Sequence, residues 1–370
     1  MSRVRVAVIG AGIVGACVGW NLSRLGADVV FIEAGARPGE GVTNWSFSWV
    51  NASNKTVTRS YFDLNVAGMA AHRELAGAIG GEPWWHPGGH LRWADEAARQ
   101  AEFLATGELL AGWGYRVEVW TGAEVRRRLE PGLAMPDDAA VLFYPDEAWV
   151  HGRHLVGRLV DEAVASGGAE LRTGVAVRAL GAGADGRIRT VALADGSSLD
   201  VDAVVNAAGP GAAVVAELVG RRLPMCREPG IVARIDCAEL PVHRAMHAPH
   251  IEIRPDGDAS LAAHSREIDA LIDSGEAAAE LARLLHESAR RVLPGLDDAS
   301  RVTGARVINR PIPADGFPSV GAVPSVPGYY EAVSHSGITL GPVLGRLLAA
   351  EILSGTRAEL LADFRPERFP

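Results

Sequence analysis

The hydrophobic positions of the chain follow two periods, one typical of buried strands and one typical of helices. Residues 4–9 and 28–32 are short, mostly apolar segments, which predict buried strands of a parallel sheet, and residues 16–25 between them follow a helical period. The same reading predicts further helices over 61–79, 96–112, 121–129, 153–166, 277–292 and 338–353. It predicts further extended segments over 83–93, 143–151, 170–180, 188–194, 201–207, 223–235, 250–263 and 328–333. Strands that alternate with helices predict a mixed α/β fold, with α+β character.

The order of these segments predicts two domains. One is a Rossmann-like domain that the chain enters three times, and its expected segments are 1–80, 145–220 and 304–370. The other is inserted between those segments, consists of 81–144 and 221–303, and is expected to contain an antiparallel sheet. The polar, aromatic stretch 41–55 is predicted to be a loop with a binding role.

The first predicted strand runs directly into a glycine motif, GxGxxG, at residues 10–15. Gly10 would allow the tight turn, Gly12 would let a pyrophosphate approach the backbone, and Gly15 would let the helix pack on the strand. A chance glycine loop is the alternative interpretation. The second strand ends at Glu33, 18 residues beyond Gly15, where an acid is expected to bind a ribose hydroxyl. This context favours a dinucleotide site, and the acid favours NAD or FAD over NADP.

Composition narrows the class of protein. The 370 residues are 48% hydrophobic and 22% charged, which is ordinary for a globular enzyme. A net charge of -9 gives no basic surface for nucleic acid, and no apolar run is long enough to predict a membrane span. The strand that begins at residue 4 leaves no room for a signal peptide, so we expect a cytoplasmic protein. The cysteines Cys17, Cys226 and Cys237 lack metal-ligand spacing, and no metal site is predicted.

Three more motifs follow the glycine motif in a characteristic order. They are Val-Val-Asn-Ala-Ala-Gly-Pro at 204–210, Arg-Pro-Ile-Pro-Ala-Asp-Gly-Phe-Pro-Ser-Val-Gly at 310–321, and Ser-His-Ser-Gly-Ile-Thr-Leu-Gly-Pro at 334–342. Together the four motifs resemble those of the FAD-dependent D-amino-acid oxidase superfamily, which includes glycine oxidase, sarcosine oxidase and D-amino-acid dehydrogenase. The resemblance covers nearly the whole chain and is strongest over 4–52 and 304–355.

The resemblance implies an FAD-binding domain, an inserted substrate domain and an enzyme that oxidises a C–N bond. The expected substrate is an amino acid or an N-substituted amino acid, whose hydride passes to flavin N5 to leave an imine. The expected electron acceptor is O2 or another oxidant. N-dealkylation or ring dehydrogenation of a secondary amine, oxidation of a 2-hydroxy acid and a purely flavin-binding role remain alternatives. The sequence makes no prediction of oligomeric state.

The resemblance also carries the cofactor contacts over to this chain. The residues expected to hold FAD are Gly10, Gly12, Ile13, Val14, Gly15, Glu33, Ala34, Thr43, Asn44, Ser46, Ser48, Val175, Ala208, Gly209, Arg310, Gly337, Ile338 and Thr339. A solvated turn is the alternative for the polar loop residues, and a core strand is the alternative for Val175. Binding should be non-covalent, because no cysteine follows Cys237 and the first histidine is His72, so the attachment residues of some relatives are missing.

Three residues are candidates for catalysis, and three more for the substrate pocket. Arg310 matches the family arginine that binds a substrate carboxylate, and a surface arginine is the alternative. His335 would sit over the substrate amine or orient a water, unless it is structural. Thr339 would bind the flavin or cap the last helix, whose first N–H groups would stabilise negative charge on reduced flavin. The expected pocket residues are Trp49, Lys55 and Tyr61, and Lys55 would hold a substrate acid or activate oxygen unless it is simply exposed.

Overall fold

A six-stranded sheet lies at the centre of the computed structural model, which describes residues 3–239, 242–296 and 298–369. The strands follow the order Ser319–Ala322, Tyr329–Val333, Ala203–Asn206, Arg5–Ile9, Asp28–Glu33 and Ala169–Thr173. All neighbours pair in parallel except the first two, which are antiparallel. Parallel strands are covered on both faces, which explains why Arg5–Ile9 is apolar and buried at every position after Arg5.

Alternate side chains of the central strand enter two different cores. Val6 and Val8 face a core shared with the helices Ile13–Arg24, Arg59–Ile79, Gly152–Ala165 and Gly337–Ser354. Ala7 and Ile9 face the opposite core, which is covered by a three-stranded antiparallel sheet of Val177–Ala182, Ile188–Leu193 and Ser198–Asp200. The period of two along one strand thus fixes the layer above and the layer below the sheet.

A second large sheet lies next to the first, and several of its residues line the candidate active site. Its strand order is Arg301–Asn309, Pro229–Asp236, Ser260–His264, Ile251–Pro255, Ala245–Ala248, His90–Arg92, Ala140–Tyr144 and Glu118–Thr121. One face packs on the helix Ala278–Val292 through apolar side chains such as Leu281 and Leu285. A small sheet of Trp49–Val50, Ala148–Val150 and Trp85–Pro87 joins the polar loop to the fold.

The remaining helices complete the described chain. The remaining α-helices are Ala97–Gly112, Gly122–Arg128, Ala212–Glu217 and Arg266–Asp269, and the 3-10 helices are Gly209–Gly211, Ile272–Ser274, Glu359–Phe364 and Pro366–Arg368. Gly122–Arg128 begins with the capping box that the sequence predicts, since Thr121 and Glu124 bond each other's backbone N–H groups.

The mixed α/β prediction is confirmed, while several element boundaries differ. The strand predicted over 250–263 is a hairpin of Ile251–Pro255 and Ser260–His264, because Gly257 takes a φ of +118° at the turn. The strand predicted over 223–235 begins only at Pro229, and Arg301–Asn309 was not predicted. This last strand crosses the expected domain border at residues 303 and 304, and the two-domain division stays a prediction. Residues 1, 2, 240, 241, 297 and 370 of the predicted domains lie outside the described residues.

The sequence predicted no membrane span, but the helix Gly337–Ser354 is long and apolar. By length and composition it could cross a bilayer, although 61% of it is buried inside the fold. Gly341 and Gly345 let it pack closely on the first helix, where a Cβ at Gly345 would lie 2.6 Å from the Cys17 carbonyl oxygen. Its apolar composition is therefore accounted for by packing within the protein.

Candidate active site

The glycine motif forms a cradle that only glycine can build. Gly10 has a φ of +95°, and a Cβ there would lie 2.5 Å from the carbonyl oxygen of Ala207. A Cβ at Gly15 would lie 1.9 Å from the Gly10 carbonyl oxygen, so this glycine permits the close packing of helix on strand. A Cβ at Gly12 would meet only the Thr43 hydroxyl, at 3.3 Å, and leaves the backbone open to a ligand. The cradle therefore fits a dinucleotide pyrophosphate.

A cavity of about 190 Å³ opens at this cradle and collects most of the predicted cofactor residues. Those that line it are Gly10, Gly12, Ile13, Val14, Glu33, Thr43, Ser46, Ala208, Gly209, Gly337 and Ile338. They come from the N-terminal, middle and C-terminal segments of the chain. The fold thus brings together residues that are separated by more than half of the sequence.

Glu33 is held at the edge of this cavity by two backbone N–H groups. Ala11 N–H donates to its Oε2 at 2.9 Å, and Gly35 N–H donates to its Oε1 at 2.8 Å. Thr43 plays a similar part, because its hydroxyl accepts the N–H of Ile13 at 3.0 Å. The first helix begins here without a side-chain cap at its N-cap residue Gly12, so Thr43 satisfies one of its free donors.

Several predicted cofactor residues lie outside the cavity. The side chain of Asn44 turns to Arg234, which donates to the Asn44 carbonyl oxygen at 2.9 Å and to its Oδ1 at 2.8 Å. Val175 is buried in the core, and its N–H donates to the carbonyl of Glu33 at 3.2 Å, so only its carbonyl remains free to face an adenine. Ala34 is exposed next to Glu33, and Gly15 serves packing. The side chain of Asn44 therefore positions the loop, which corrects the prediction that Asn44 contacts the cofactor.

A second cavity, of about 160 Å³, continues from the first. The two share the lining residues Val42, Ser46, Pro311, His335 and Ile338. The predicted residues Ser48, Trp49, Lys55, Arg310, His335 and Thr339 also line the second cavity. This arrangement places the candidate catalytic residues next to the nucleotide cradle.

Thr339 acts differently from either predicted role. Its hydroxyl donates to the carbonyl of Trp49 at 3.2 Å and accepts the N–H of Asn51 at 3.2 Å. The N-cap residue of the helix is Ser336, not Thr339. The hydroxyl therefore ties the last helix to the loop strand, and only the backbone N–H of Thr339 is left for a ligand.

Tyr61 lies behind the cavity rather than in its wall. Its hydroxyl is 2.7 Å from the hydroxyl of Ser336, and its ring packs edge-on against Phe317. Ser336 itself lines the cavity. The prediction that Tyr61 lines the pocket is therefore wrong, and Tyr61 supports a residue that does.

Lys55 is buried, which excludes the interpretation as an exposed lysine. Its side chain is 7% exposed and lines the second cavity. Its Nζ lies 5.9 Å from the centre of the Tyr61 ring, and among the described residues it makes no ion pair or hydrogen bond. Burial, together with the positive charge of Arg266, lowers the pKa of Lys55 to about 8, although the negative charge of Glu147 acts in the opposite direction.

Arg310 reaches the cavity, but its guanidinium is already paired. Its Nη2 donates to Asp269 Oδ2 at 2.5 Å, and its Nη1 donates to Glu228 Oε1 at 3.0 Å. Gly230 leaves room for this side chain, since a Cβ there would lie 2.5 Å from Nη2. The fork that was predicted to bind a carboxylate thus has two protein carboxylates as partners.

A chain of histidines and carboxylates continues from Arg310 into the protein interior. Asp269 accepts from His264 Nε2 at 2.8 Å, and His264 Nδ1 lies 2.7 Å from Glu252. Glu252 is 3.2 Å from His247 Nε2, and His247 Nδ1 is 2.6 Å from the buried Nε2 of His90. Burial alone would lower the pKa of His264, but Glu252 and Asp269 raise it to about 9, so this imidazole is cationic.

The histidine chain ends at Glu147, which anchors the polar loop. Its carboxylate accepts from Trp49 Nε1 at 2.8 Å, from the Ser53 N–H at 3.0 Å and from the Tyr115 hydroxyl at 2.7 Å. Burial raises the pKa of Glu147 to about 7. Trp49, held in this way, stacks on His90 with ring centres 4.2 Å apart.

His335 opens onto both cavities, and its side chain is exposed there. Partial desolvation by the surrounding protein, followed by the positive charges of Lys55 and Arg310, lowers the pKa of His335 below its usual range. Its imidazole is therefore neutral at physiological pH, and it can accept or donate a hydrogen bond without carrying charge.

The structure adds cavity residues that the sequence did not single out. They are Asn51, Asn54, His247, Glu252, His264, Arg266 and Ser336. A signal was present for two of them, because Glu252 and His264 are titratable positions next to apolar residues of the strands Ile251–Pro255 and Ser260–His264.

Comparison with known proteins places the chain in a family. A family model described as FAD dependent oxidoreductase matches residues 5–351. The chain is 25% identical to glycine oxidase of Geobacillus kaustophilus (strain HTA426), over 98% of this chain and 96% of that protein. The crystal structure of glycine oxidase from Geobacillus kaustophilus superimposes with a TM-score of 0.84 at 22% identity, and 98% of each chain is covered. Iminodiacetate oxidase from Chelativorans sp. BNC1 superimposes with a TM-score of 0.81 at 26% identity, over 98% of this chain and 99% of that one.

The family match and the glycine cradle agree on the cofactor. The family is FAD-dependent, and the residues of the first cavity fit a dinucleotide. The chain belongs to the family of FAD-dependent oxidoreductases that includes glycine oxidase.

Proposed function

We propose that this enzyme oxidises the C–N bond of an amino acid or an N-substituted amino acid, with FAD held non-covalently in the first cavity. The observation that carries the proposal is the continuity of the two cavities, one a dinucleotide cradle and the other lined by cations and a neutral imidazole. The relatives support it, since one is named glycine oxidase and another iminodiacetate oxidase. Location in the cytoplasm, with O2 or another oxidant as electron acceptor, is part of the proposal.

Bound FAD would supply the oxidising ring that accepts a hydride from the carbon next to nitrogen. The cradle of Gly10 and Gly12 would hold its pyrophosphate, and Glu33 would hold the adenosine ribose. The first N–H groups of the helix Gly337–Ser354 point out of its positive end, beside both cavities. In this proposal they stabilise the negative charge that the cofactor gains on reduction.

The substrate side of the site would orient an amino acid and exclude water. Arg310 is proposed to orient a substrate carboxylate, although its pairing with Asp269 and Glu228 means that a substrate must share it. Because His335 is neutral, one of its ring nitrogens can accept a hydrogen bond from an N–H of the substrate. Trp49 and Phe47 give the cavity apolar walls.

The proposed function is tested by anaerobic reduction of the bound flavin. The purified yellow protein is mixed, without oxygen, with a panel of amino acids, N-alkylamino acids and 2-hydroxy acids. Bleaching of the flavin absorbance by amino compounds is the expected result, and ammonia or formaldehyde among the products distinguishes primary from N-methyl substrates. Bleaching by 2-hydroxy acids alone, or by no compound in the panel, would contradict the proposal.

A further inference from the structure

Two cationic side chains in the second cavity have no acidic partner among the described residues. Lys55 is buried there, and its ammonium makes no ion pair or hydrogen bond within the described ranges, although the charge of Glu147 acts on it without direct contact. Arg266 begins the short helix Arg266–Asp269, and its guanidinium makes no ion pair or hydrogen bond within the described ranges. Both side chains therefore keep their charge free for a ligand.

The other cations of the cavity are neutralised by the protein itself. Arg310 is paired with Asp269 and Glu228, as described above. His264 lies between the carboxylates of Glu252 and Asp269. Because Glu252, Asp269 and Glu228 are engaged in these pairs, the positive charges without an ion-pair partner are those of Lys55 and Arg266.

The site gains from a ligand that neutralises these two charges. An unpaired buried cation such as Lys55 is costly, because it has lost water without gaining a partner, whereas the exposed Arg266 is solvated and its charge is simply available. The lowered pKa of Lys55, caused by burial and by Arg266, reflects this cost. An anionic group bound beside them would restore the missing partner, and two cations leave room for two anionic groups.

A third cavity, of about 330 Å³, gives the ligand room to extend. It shares the residues Asn54, His247, Glu252 and Arg266 with the second cavity, so Arg266 stands where the two meet. Its wall is polar and carries charged side chains of both signs, with Arg92 and Arg99 beside the carboxylates of Asp95, Glu96 and Glu267. A substituent that leaves the second cavity therefore enters a polar chamber rather than an apolar one.

We propose that the substrate carries two carboxylates, as an acidic amino acid or a carboxyalkyl-substituted amino acid does. One carboxylate is the one that Arg310 orients, and Lys55 neutralises it inside the second cavity; the other is neutralised by Arg266 at the junction with the third. This inference rests on the proposed function, of which it names the substrate class.

Matched substrate pairs test the inference in the FAD-loaded enzyme. Anaerobic flavin reduction is followed with aspartate against asparagine, glutamate against glutamine, both enantiomers of each, and N-(carboxymethyl)glycine against N-methylglycine. We expect the ratio of the reduction rate constant to the dissociation constant to favour the dicarboxylate by about tenfold or more, which corresponds to 1.4 kcal/mol. Equal ratios overturn the inference while the proposed function stands, because the flavin is still bleached. If none of these compounds bleaches it, both fall.

Variants show what each of the two cations contributes. In Arg266→Gln the preference for the dicarboxylate should shrink by about tenfold, because Arg266 faces the carboxylate that the second member of each pair lacks. In Lys55→Met both members of each pair should bind more weakly, because both carry the carboxylate that Lys55 faces. The matched control is Arg290→Gln, which removes an exposed arginine paired with Asp298 outside these cavities and should keep the preference. If Lys55→Met does not fold, the exposed position of Arg266 keeps the test available. An unchanged preference in Arg266→Gln overturns the inference.

Discussion

At the scale of single residues, Glu33 shows how one carboxylate links the glycine loop to the cofactor site. The structure fixes both of its oxygens with backbone N–H groups while the side chain lines the first cavity. Glu33→Ala should weaken FAD binding by about 1.5–3 kcal/mol, the value of a hydrogen bond to a charged group. The measurement is FAD titration of the apoprotein by fluorescence. The matched control is Glu170→Ala on the neighbouring strand, where the carboxylate is exposed and paired with Arg172; equal affinities of both variants would show that Glu33 is not at the ribose.

Lys55 gives a prediction of pH dependence at the same scale. Burial and Arg266 lower the pKa of Lys55 to about 8, against the opposing charge of Glu147, so Lys55 is protonated below that pH and neutral above it. Glu147, whose pKa burial raises to about 7, gains negative charge over a neighbouring range. Both changes weaken the binding of an anion, so the affinity for an anionic ligand should fall as the pH rises from 7 through about 8. Glutarate is a suitable probe because it has two carboxylates and no amine that titrates, and its binding is read from the flavin absorbance. In Lys55→Arg the affinity for glutarate should stay high to a higher pH, since arginine stays charged. An affinity of the unmodified protein that does not change with pH would contradict this account.

At the scale of elements, the packing of the first and last helices depends on glycine. A Cβ at Gly345 would lie 2.6 Å from the Cys17 carbonyl, so Gly345→Ala should force the helices apart. We expect a loss of about 1–3 kcal/mol in the free energy of unfolding, as for other overpacked cores. Urea denaturation measures it.

Gly77→Ala, in another helix, is the matched control for Gly345→Ala. Gly77 lies in the helix Arg59–Ile79, it is exposed, and a Cβ there would meet nothing within 4 Å. Alanine is the better helix former, so this variant should gain up to about 1 kcal/mol. Equal effects of the two substitutions would mean that helix propensity, and not contact between helices, governs the response.

At the scale of the whole molecule, the sequence predicted those features that residues close together in the chain determine. The strand, glycine turn and acid of the nucleotide cradle are encoded within 33 consecutive residues, and the capping box at Thr121 within four. The partners of Arg310 could not be predicted, because Asp269 and Glu228 meet it only through the pairing of distant strands. For the same reason the sequence did not reveal that Arg234 holds Asn44, 190 residues away, or that Lys55 is buried.

Non-covalent FAD is a further prediction for the whole molecule. No cysteine follows Cys237 and no histidine precedes His72, which removes the attachment residues of some relatives. Acid precipitation should release all yellow colour into the supernatant, and FAD added back to the apoprotein should raise its melting temperature, because a ligand stabilises the state that binds it. Colour that stays with the precipitate would show a covalent bond.

The central claim is that a C–H bond next to the substrate nitrogen is broken as the flavin is reduced. The most direct measurement is anaerobic stopped-flow reduction with the best amino substrate of the panel, compared with the same compound carrying deuterium at the carbon that is oxidised. The account predicts that the flavin absorbance disappears in a single turnover and that deuterium slows this phase. Flavin reduction at the same rate with both isotopes and at every substrate concentration, or no reduction by any amino compound, would contradict it.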